Sequence, residues 1–280
     1  MNVLLIGGSG FIGRHLAAAL RERGDAVTIA SLRDPAEAAR AAAACDAVVN
    51  LAGEPLAQRW SAALKRRIKE SRVDSPRRFL ELVARDSRRA GVYVSASAIG
   101  YYGTSETATF DEDSPPGDDF LARVCVGWEC EARRAADLGM RVAIVRTGVA
   151  LGADGGALSK ILPPFRAGAG GRVGSGRQWL SWVHIDDLVG IYVMALRREI
   201  EGVVNACAPN PVTNSEFTAD LGAALHRPAA LPVPTIALRA LLGEGADILL
   251  KGQRVLPRRT ELLGYRFRFP ELTAALANLL

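Results

Sequence analysis

The chain is short of the residues that build disulfide frameworks and metal centres. Its four cysteines, Cys45, Cys125, Cys130 and Cys207, form no C-x-x-C pair, and its three histidines, His15, His184 and His226, lie far apart. A stapled scaffold and a bound metal are therefore not expected. No apolar run approaches the ~20 residues that cross a bilayer, and the apolar start lacks the basic residues and small-residue cleavage site of a signal peptide. The expectation is a cytoplasmic protein with no membrane association. Lysine is scarce too: Lys65, Lys69, Lys160 and Lys251 are the only lysines among 35 basic residues. The modest net charge of +5 is thus carried almost wholly by guanidinium groups, which favours anionic small molecules without requiring nucleic acid.

At 280 residues, 49% hydrophobic and 23% charged, the chain has the composition of a globular protein with one large α/β domain or two unequal ones. Its organising stretch is Met1 to Gly13, MNVLLIGGSGFIG. Val3 to Ile6 make the short apolar run of a buried parallel strand, which ends abruptly in glycines. Gly7, Gly10 and Gly13 follow at G-x-x-G-x-x-G spacing, and Phe11, Ile12, Leu16 and Leu20 recur at helical intervals. Strand, glycine turn and helix together predict a diphosphate cradle: the glycines allow close backbone approach, and the helix start offers unpaired N–H groups. Gly7, Ser9, Gly10, Phe11, Ile12 and Gly13 are the expected contacts.

Strand two, Val27 to Ile29, ends in Ala30-Ser31-Leu32-Arg33, where a site for an unphosphorylated ribose would carry Asp or Glu. Ser31 and Arg33 can hold a 2′-phosphate, so the cofactor is read as NADP(H) rather than NAD; Asp34, next along, weighs against this. A third strand, 47–49, runs into Leu51, Ala52 and Gly53, which should line the dinucleotide beyond the carboxyl ends of the strands. The segment 61–86 reads as a helical region kinked at Pro76, with a basic face of Lys65, Arg66, Arg67, Lys69, Arg72, Arg77 and Arg78. That face lacks interleaved aromatic residues, so nucleic acid is not an expected partner. Strand four, 92–94, leads to SASAIGYYG, and hydroxyls at such a strand end suit proton transfer and substrate orientation. Ser97 and Tyr101 are the catalytic candidates, and either Tyr101 or Tyr102 could equally be a packing residue.

Several segments together, GGSGFIG, NLAGEP (50–55), KRRIKESRV (65–73), SASAIGYYG (95–103), RTGVAL (146–151) and GSGRQWLSWVHIDDL (174–188), resemble the extended short-chain dehydrogenase/reductases. More narrowly they resemble the atypical epimerase-family branch, nucleoside-diphosphate-sugar epimerase-like, from end to end. The resemblance implies a Rossmann-like doubly wound α/β sheet, bound NADP(H) and a small C-terminal substrate-covering region. It also implies that Arg146, Thr147 and Gly148, after strand 142–145, pass the nicotinamide, and that Ser97 matches the superfamily's active-site serine with one residue inserted in the next loop.

One feature of the superfamily is missing. Its Tyr-x-x-x-Lys pair, in which lysine lowers the phenol's pKa, has no counterpart: no tyrosine here is followed four residues later by lysine, and PPGDDFLARVCVGWECEA contains neither residue. Any catalysis must find its acid or base elsewhere.

In the second half, Gln178, Trp179, Trp182 and His184 cluster near Arg177, after a glycine-rich loop. They read either as a subsite for an anionic, ring-bearing ligand or as a strand that packs its indoles in the core. Asp186 is the expected cap of a helix over 187–196, and helices are also expected over 155–165, 215–225, 235–250 and 270–280. The expected division is a dinucleotide-binding domain at 1–150 and a substrate-side region at 151–280, with a strand near 203–205 returning to the main sheet, in a monomer or homodimer. The function read from this is an NADP(H)-binding oxidoreductase or epimerase-like enzyme, the alternative being a non-catalytic NADP(H) sensor.

Overall fold

A computed structural model describes residues 1–280. Six parallel strands form the main sheet: β1 (Asn2–Ile6), β2 (Ala26–Ala30), β3 (Ala47–Asn50), β4 (Val92–Ala98), β5 (Arg141–Thr147) and β6 (Gly202–Ala206), in the order β6-β5-β4-β3-β1-β2. The order reverses between β1 and β3, since the chain steps outward to β2 and then back across β1. In open parallel sheets the crevice at such a reversal is where ligands bind.

Side chains alternate across this sheet and supply both faces. Val3, Leu5, Val49, Val94 and Val145 pack under α1 (Phe11–Glu22) and a helix at Ile185–Arg197, through Leu16, Leu20, Leu188 and Ile191. Leu4, Ile6, Val48, Tyr93 and Ile144 face the other way, against Ala38, Phe79, Val83 and Ala132. That second layer comprises α2 (Pro35–Ala42), α3 (Ala62–Lys69), α4 (Ser75–Val83) and α5 (Phe120–Arg133). Burial of β1 on both faces explains why it is a continuous apolar run rather than an alternating one.

The remainder forms α6 (Leu158–Arg166), α7 (Ile185–Arg197), α8 (Asn214–Ala224), α9 (Thr235–Leu242) and a last helix at Leu272–Leu279. Leu158, Leu162, Trp182, Phe217, Leu221 and Leu276 make its separate core. β6 returns from this region to pair with β5.

Several local expectations change. The helical segment 61–86 is interrupted by a π-helical stretch, Glu70–Asp74, and Pro76 sits in the first turn of α4, where its missing N–H costs nothing. Gly155–Gly156 belong to a short hairpin, and α6 starts only at Leu158 and carries Pro163 and Pro164 inside it. His184, not Asp186, caps α7: its Nδ1 accepts the Asp186 N–H at 3.1 Å.

Candidate active site

The turn after β1 is built by steric necessity. Gly7 has φ +79°, and a Cβ there would lie 3.0 Å from the Leu51 carbonyl carbon. A Cβ on Gly13 would lie 2.4 Å from the Gly7 oxygen and 2.6 Å from Gly8 Cα, so α1 starts in contact with the strand it follows. Gly10 caps α1 without a side-chain hydrogen bond, and Ser9 and Gly10 are exposed. The first-turn amides at Phe11, Ile12 and Gly13 therefore point outward with the positive end of the helix dipole, as a diphosphate cradle requires. The Phe11 ring itself turns away to pack over Gly152, Gly155 and Gly156.

At the end of β2, Ser31 and Arg33 are both exposed, and the Arg33 amide donates to Ser31 Oγ at 3.2 Å. Asp34, the residue that weighed against a 2′-phosphate, is engaged elsewhere: its carboxylate accepts the Glu37 N–H at 2.9 Å as the N-cap of α2. Past β3, Asn50 Oδ1 accepts the Ala52 N–H at 3.1 Å, which shapes Leu51, Ala52 and Gly53 into an open strand end.

The ends of β4, β5 and β6 hold a buried polar network centred on Glu129 of α5. Ser97 and Arg146 are register partners on β4 and β5, and Asn205 of β6 is the next partner across. Ser97 Oγ donates to Glu129 Oε1 at 2.8 Å, and Arg146 grips the same carboxylate through Nε (2.7 Å) and Nη2 (2.9 Å). Arg133 adds a contact to Oε2 at 3.1 Å. The Glu129 and Arg146 side chains are only 0% and 3% exposed, so the pair is desolvated and held by its own geometry. Burial opposes the charge on Arg146, but Glu129 outweighs it and holds the guanidinium's pKa above its ordinary value.

The network also separates the two tyrosines. Tyr102 is buried; its hydroxyl donates to Asn205 Oδ1 at 2.8 Å and accepts from Arg146 Nη1 at 2.9 Å. Burial raises its pKa above the ordinary phenol value in spite of Arg146, so it serves as structure. Tyr101 is only half-buried, its ring is covered by the Arg146 guanidinium at 3.4 Å, and its hydroxyl stays outside the network.

Glu129 and Cys125 escaped the reading of the sequence, although one signal was present. Cys125 and Glu129 stand four residues apart on α5, the spacing of the absent Tyr-x-x-x-Lys pair. Burial, with the nearby Glu129 charge, pushes the Cys125 thiol up to about 12, so it is protonated at neutral pH.

The structure does not use Arg146 as an open cofactor ligand: its guanidinium is spent on Glu129 and Tyr102. Thr147 is half-buried, and Gly148 packs so tightly that a Cβ would meet the Ser181 carbonyl oxygen at 2.5 Å.

The expected 178–184 subsite is not gathered into one place. Trp182 is fully buried in the second core, with Nε1 donating to the Asn210 carbonyl at 3.1 Å. His184 stacks on Phe269 at 3.9 Å between centroids, beside Asn278. Both are packing residues, because the strand Trp182–His184 turns alternate side chains into that core and the α7 cap. Gln178 is buried, with Nε2 donating to the Val173 and Leu249 carbonyls, both at 2.9 Å. Trp179 alone is half-exposed, its Nε1 donating to the Glu106 carbonyl and its ring under Arg254.

Comparison with known proteins identifies the family and the fold. The chain is 44% identical over 298 residues to the epimerase family protein SDR39U1 homolog, chloroplastic, of Arabidopsis thaliana, covering 99% of this chain and 86% of that protein. It is 42% identical over 294 residues to the human epimerase family protein SDR39U1, covering 100% and 99% of the two. A crystal structure of that human protein (isoform 2) with NADPH superposes with TM-score 0.91 at 39% identity, covering 100% of this chain and 99% of that one. The dTDP-glucose 4,6-dehydratase DesIV of Streptomyces venezuelae shares the fold at TM-score 0.81 and 22% identity, covering 100% and 95%. No helix is long and apolar enough to cross a membrane. A domain of unknown function, DUF1731, matches residues 233–279. The NAD dependent epimerase/dehydratase family matches residues 3–207, most of the main sheet and its helices, and the chain belongs to that family.

Proposed function

We propose that the chain binds NADP(H) along the carboxyl edge of its main sheet and acts on a small, anionic substrate between residues 1–150 and the substrate-side region 151–280. The activity is that of an oxidoreductase or epimerase-like enzyme in the cytoplasm. The observation that carries this reading is the uncapped first turn of α1 beside a β2 end that bears the exposed Ser31 and Arg33, with one oxygen of Asp34 turned to the α2 N-terminus. NADPH in the 39% identical human structure supports it. When bound, the nicotinamide supplies hydride donation or acceptance. The amides of Phe11, Ile12 and Gly13 hold the diphosphate, Ser31 and Arg33 the 2′-phosphate, and Leu51 to Gly53 the middle of the dinucleotide. Ser97 donates its hydrogen bond to Glu129 and so is left with acceptor lone pairs for a ligand, while the free Tyr101 hydroxyl can donate or accept. Trp179 offers a flat wall on the other side of the cleft.

A second reading, an NADP(H) sensor without turnover, draws on one observation: both Glu129 oxygens are taken up by Arg146 and the Cys125 thiol is protonated at neutral pH. NADPH absorbance in the presence of a carbonyl and sugar-nucleotide panel separates the two. Oxidation that slows in Ser97→Ala supports the enzyme, whereas tight binding with no redox change across the panel supports the sensor.

A further inference from the structure

Arg72 has no part in the site described so far, and although largely buried it has no carboxylate within salt-bridge distance. It lies in the π-helical stretch Glu70–Asp74, a distortion of a kind frequent at functional sites. Its Nη1 donates to the Glu54 carbonyl at 3.0 Å and approaches Ser71 Oγ at 3.4 Å. Glu54, the acid whose charge acts on Arg72, pairs instead with Arg67 Nε at 3.3 Å. Nε and Nη2 of Arg72, the two parallel N–H groups on one edge of the fork, have no acceptor in the protein.

The guanidinium is held in place on both sides. It lies against Gly53, where a Cβ would fall 2.8 Å from Nη2 and 2.9 Å from the central carbon, and it stands 5.2 Å from the centre of the Trp128 ring. The buried Trp128 Nε1 also lacks a hydrogen-bond partner. Burial draws the pKa of Arg72 below its ordinary value, as expected of a cation taken from water without a counter-ion. Trp128 is the helical neighbour of Glu129, which binds Ser97. Arg72 thus stands between the β3 end and the Ser97 side of the site, beside the crevice where the strand order reverses.

We propose that Arg72 is a substrate-binding residue, whose free Nε/Nη2 edge takes a carboxylate of the substrate side-on, as a two-point fork. The inference rests on the dinucleotide reading above and specifies the anionic group that reading left general. A side-on fork matches the spacing of carboxylate oxygens, and Gly53 leaves the edge open on the cleft side. The dinucleotide diphosphate has its own cradle at α1, which leaves Arg72 for the second ligand.

Oxalate serves as the probe, titrated by calorimetry into the full-length protein saturated with NADP+, at ionic strength held constant with sodium chloride. The expected result is saturable oxalate binding that weakens about ten-fold or more in Arg72→Gln and is only partly restored in Arg72→Lys, which keeps the charge but loses the fork. NADP+ affinity and the circular dichroism melting curve should stay near wild type in Arg72→Lys. Oxalate binding equal in wild type and Arg72→Gln overturns the assignment, and so does no binding beyond that of chloride. A loss confined to NADP+ affinity also overturns it, by moving Arg72 to the cofactor. If wild-type protein fails to bind NADP+ at all, the dinucleotide reading falls first and this inference with it.

Discussion

Glu129 is the residue on which the buried half of the site depends. One carboxylate accepts from Ser97, from Arg146 Nε and Nη2, and from the exposed Arg133. Glu129→Gln would leave the Arg146 charge buried and unpaired, a class of change that costs about 3–5 kcal/mol. Urea unfolding should show that loss, and the double variant Glu129→Gln/Arg146→Met should recover part of it, giving a coupling of roughly 1–3 kcal/mol. Equal, additive losses would show that the pair is not a unit. The sequence displays the missing Tyr-x-x-x-Lys pair plainly, yet gives little hint that Glu129 gathers Ser97 and Arg146, because that arrangement depends on the register of β4 and β5 and on how α5 packs across them. The partners of Arg146 were hidden for the same reason, because the carboxylate that neutralises it sits on another element. Tyr101 and Tyr102 were indistinguishable as letters, and only Asn205 and Arg146 separate them.

Elements were more legible, in proportion to how far local chemistry determines them. The β1–turn–α1 unit followed from its glycines, since contacts as short as 2.4 Å at Gly13 admit nothing larger. Gly13→Ala should therefore abolish NADP(H) retention and lower the melting temperature, as followed by nucleotide fluorescence and thermal unfolding; retained binding would contradict the cradle. The start of α8 is a capping box, with Thr213 accepting the Glu216 N–H and the Glu216 carboxylate accepting the Thr213 N–H. Thr213→Ala should cost about 1 kcal/mol in chemical unfolding, with cofactor affinity unchanged. The π-helical stretch at Glu70–Asp74 and the cap of α7 were not legible. The former is a register defect with no residue signature, and the latter depends on the His184 ring turning its Nδ1 to the Asp186 amide.

For the whole molecule, the order of the strands was not readable, because periodicity identifies strands but not their neighbours. β6 joins the main sheet beside β5 although the segments on either side of it in sequence lie in the second half of the chain. Stability of that assembly should depend on pH through His184. Burial lowers its pKa below the ordinary ~6.5, while the Asp186 and Asp187 charges and the Asn278 hydrogen bond pull the other way and Arg268 adds to the lowering. The unfolded chain thus takes up the proton first, so stabilisation by neutral His184 is complete above ~6.5 and is lost as pH falls through the lowered folded value. Melting temperature should drop on acidification from pH ~7 to ~5 in wild type and by less in His184→Gln; equal drops would dismiss His184 as the cause. At lower pH, Asp25 adds to the loss. Burial opposes its carboxylate, but the N-terminal ammonium and Arg197 hold its pKa below the ordinary value, so its contribution is present above ~3.9 and disappears as pH falls through the folded pKa.

The central claim is that the open turn of α1, with Ser31 and Arg33 beyond it, holds a phosphorylated dinucleotide. Calorimetric titration of NADPH and NADH into wild type and Arg33→Ala tests it most directly. NADPH should bind wild type about ten-fold or more tighter than NADH, and Arg33→Ala should erase most of that difference while leaving NADH affinity unchanged. Equal affinities for the two in wild type, or binding of neither, would contradict the account.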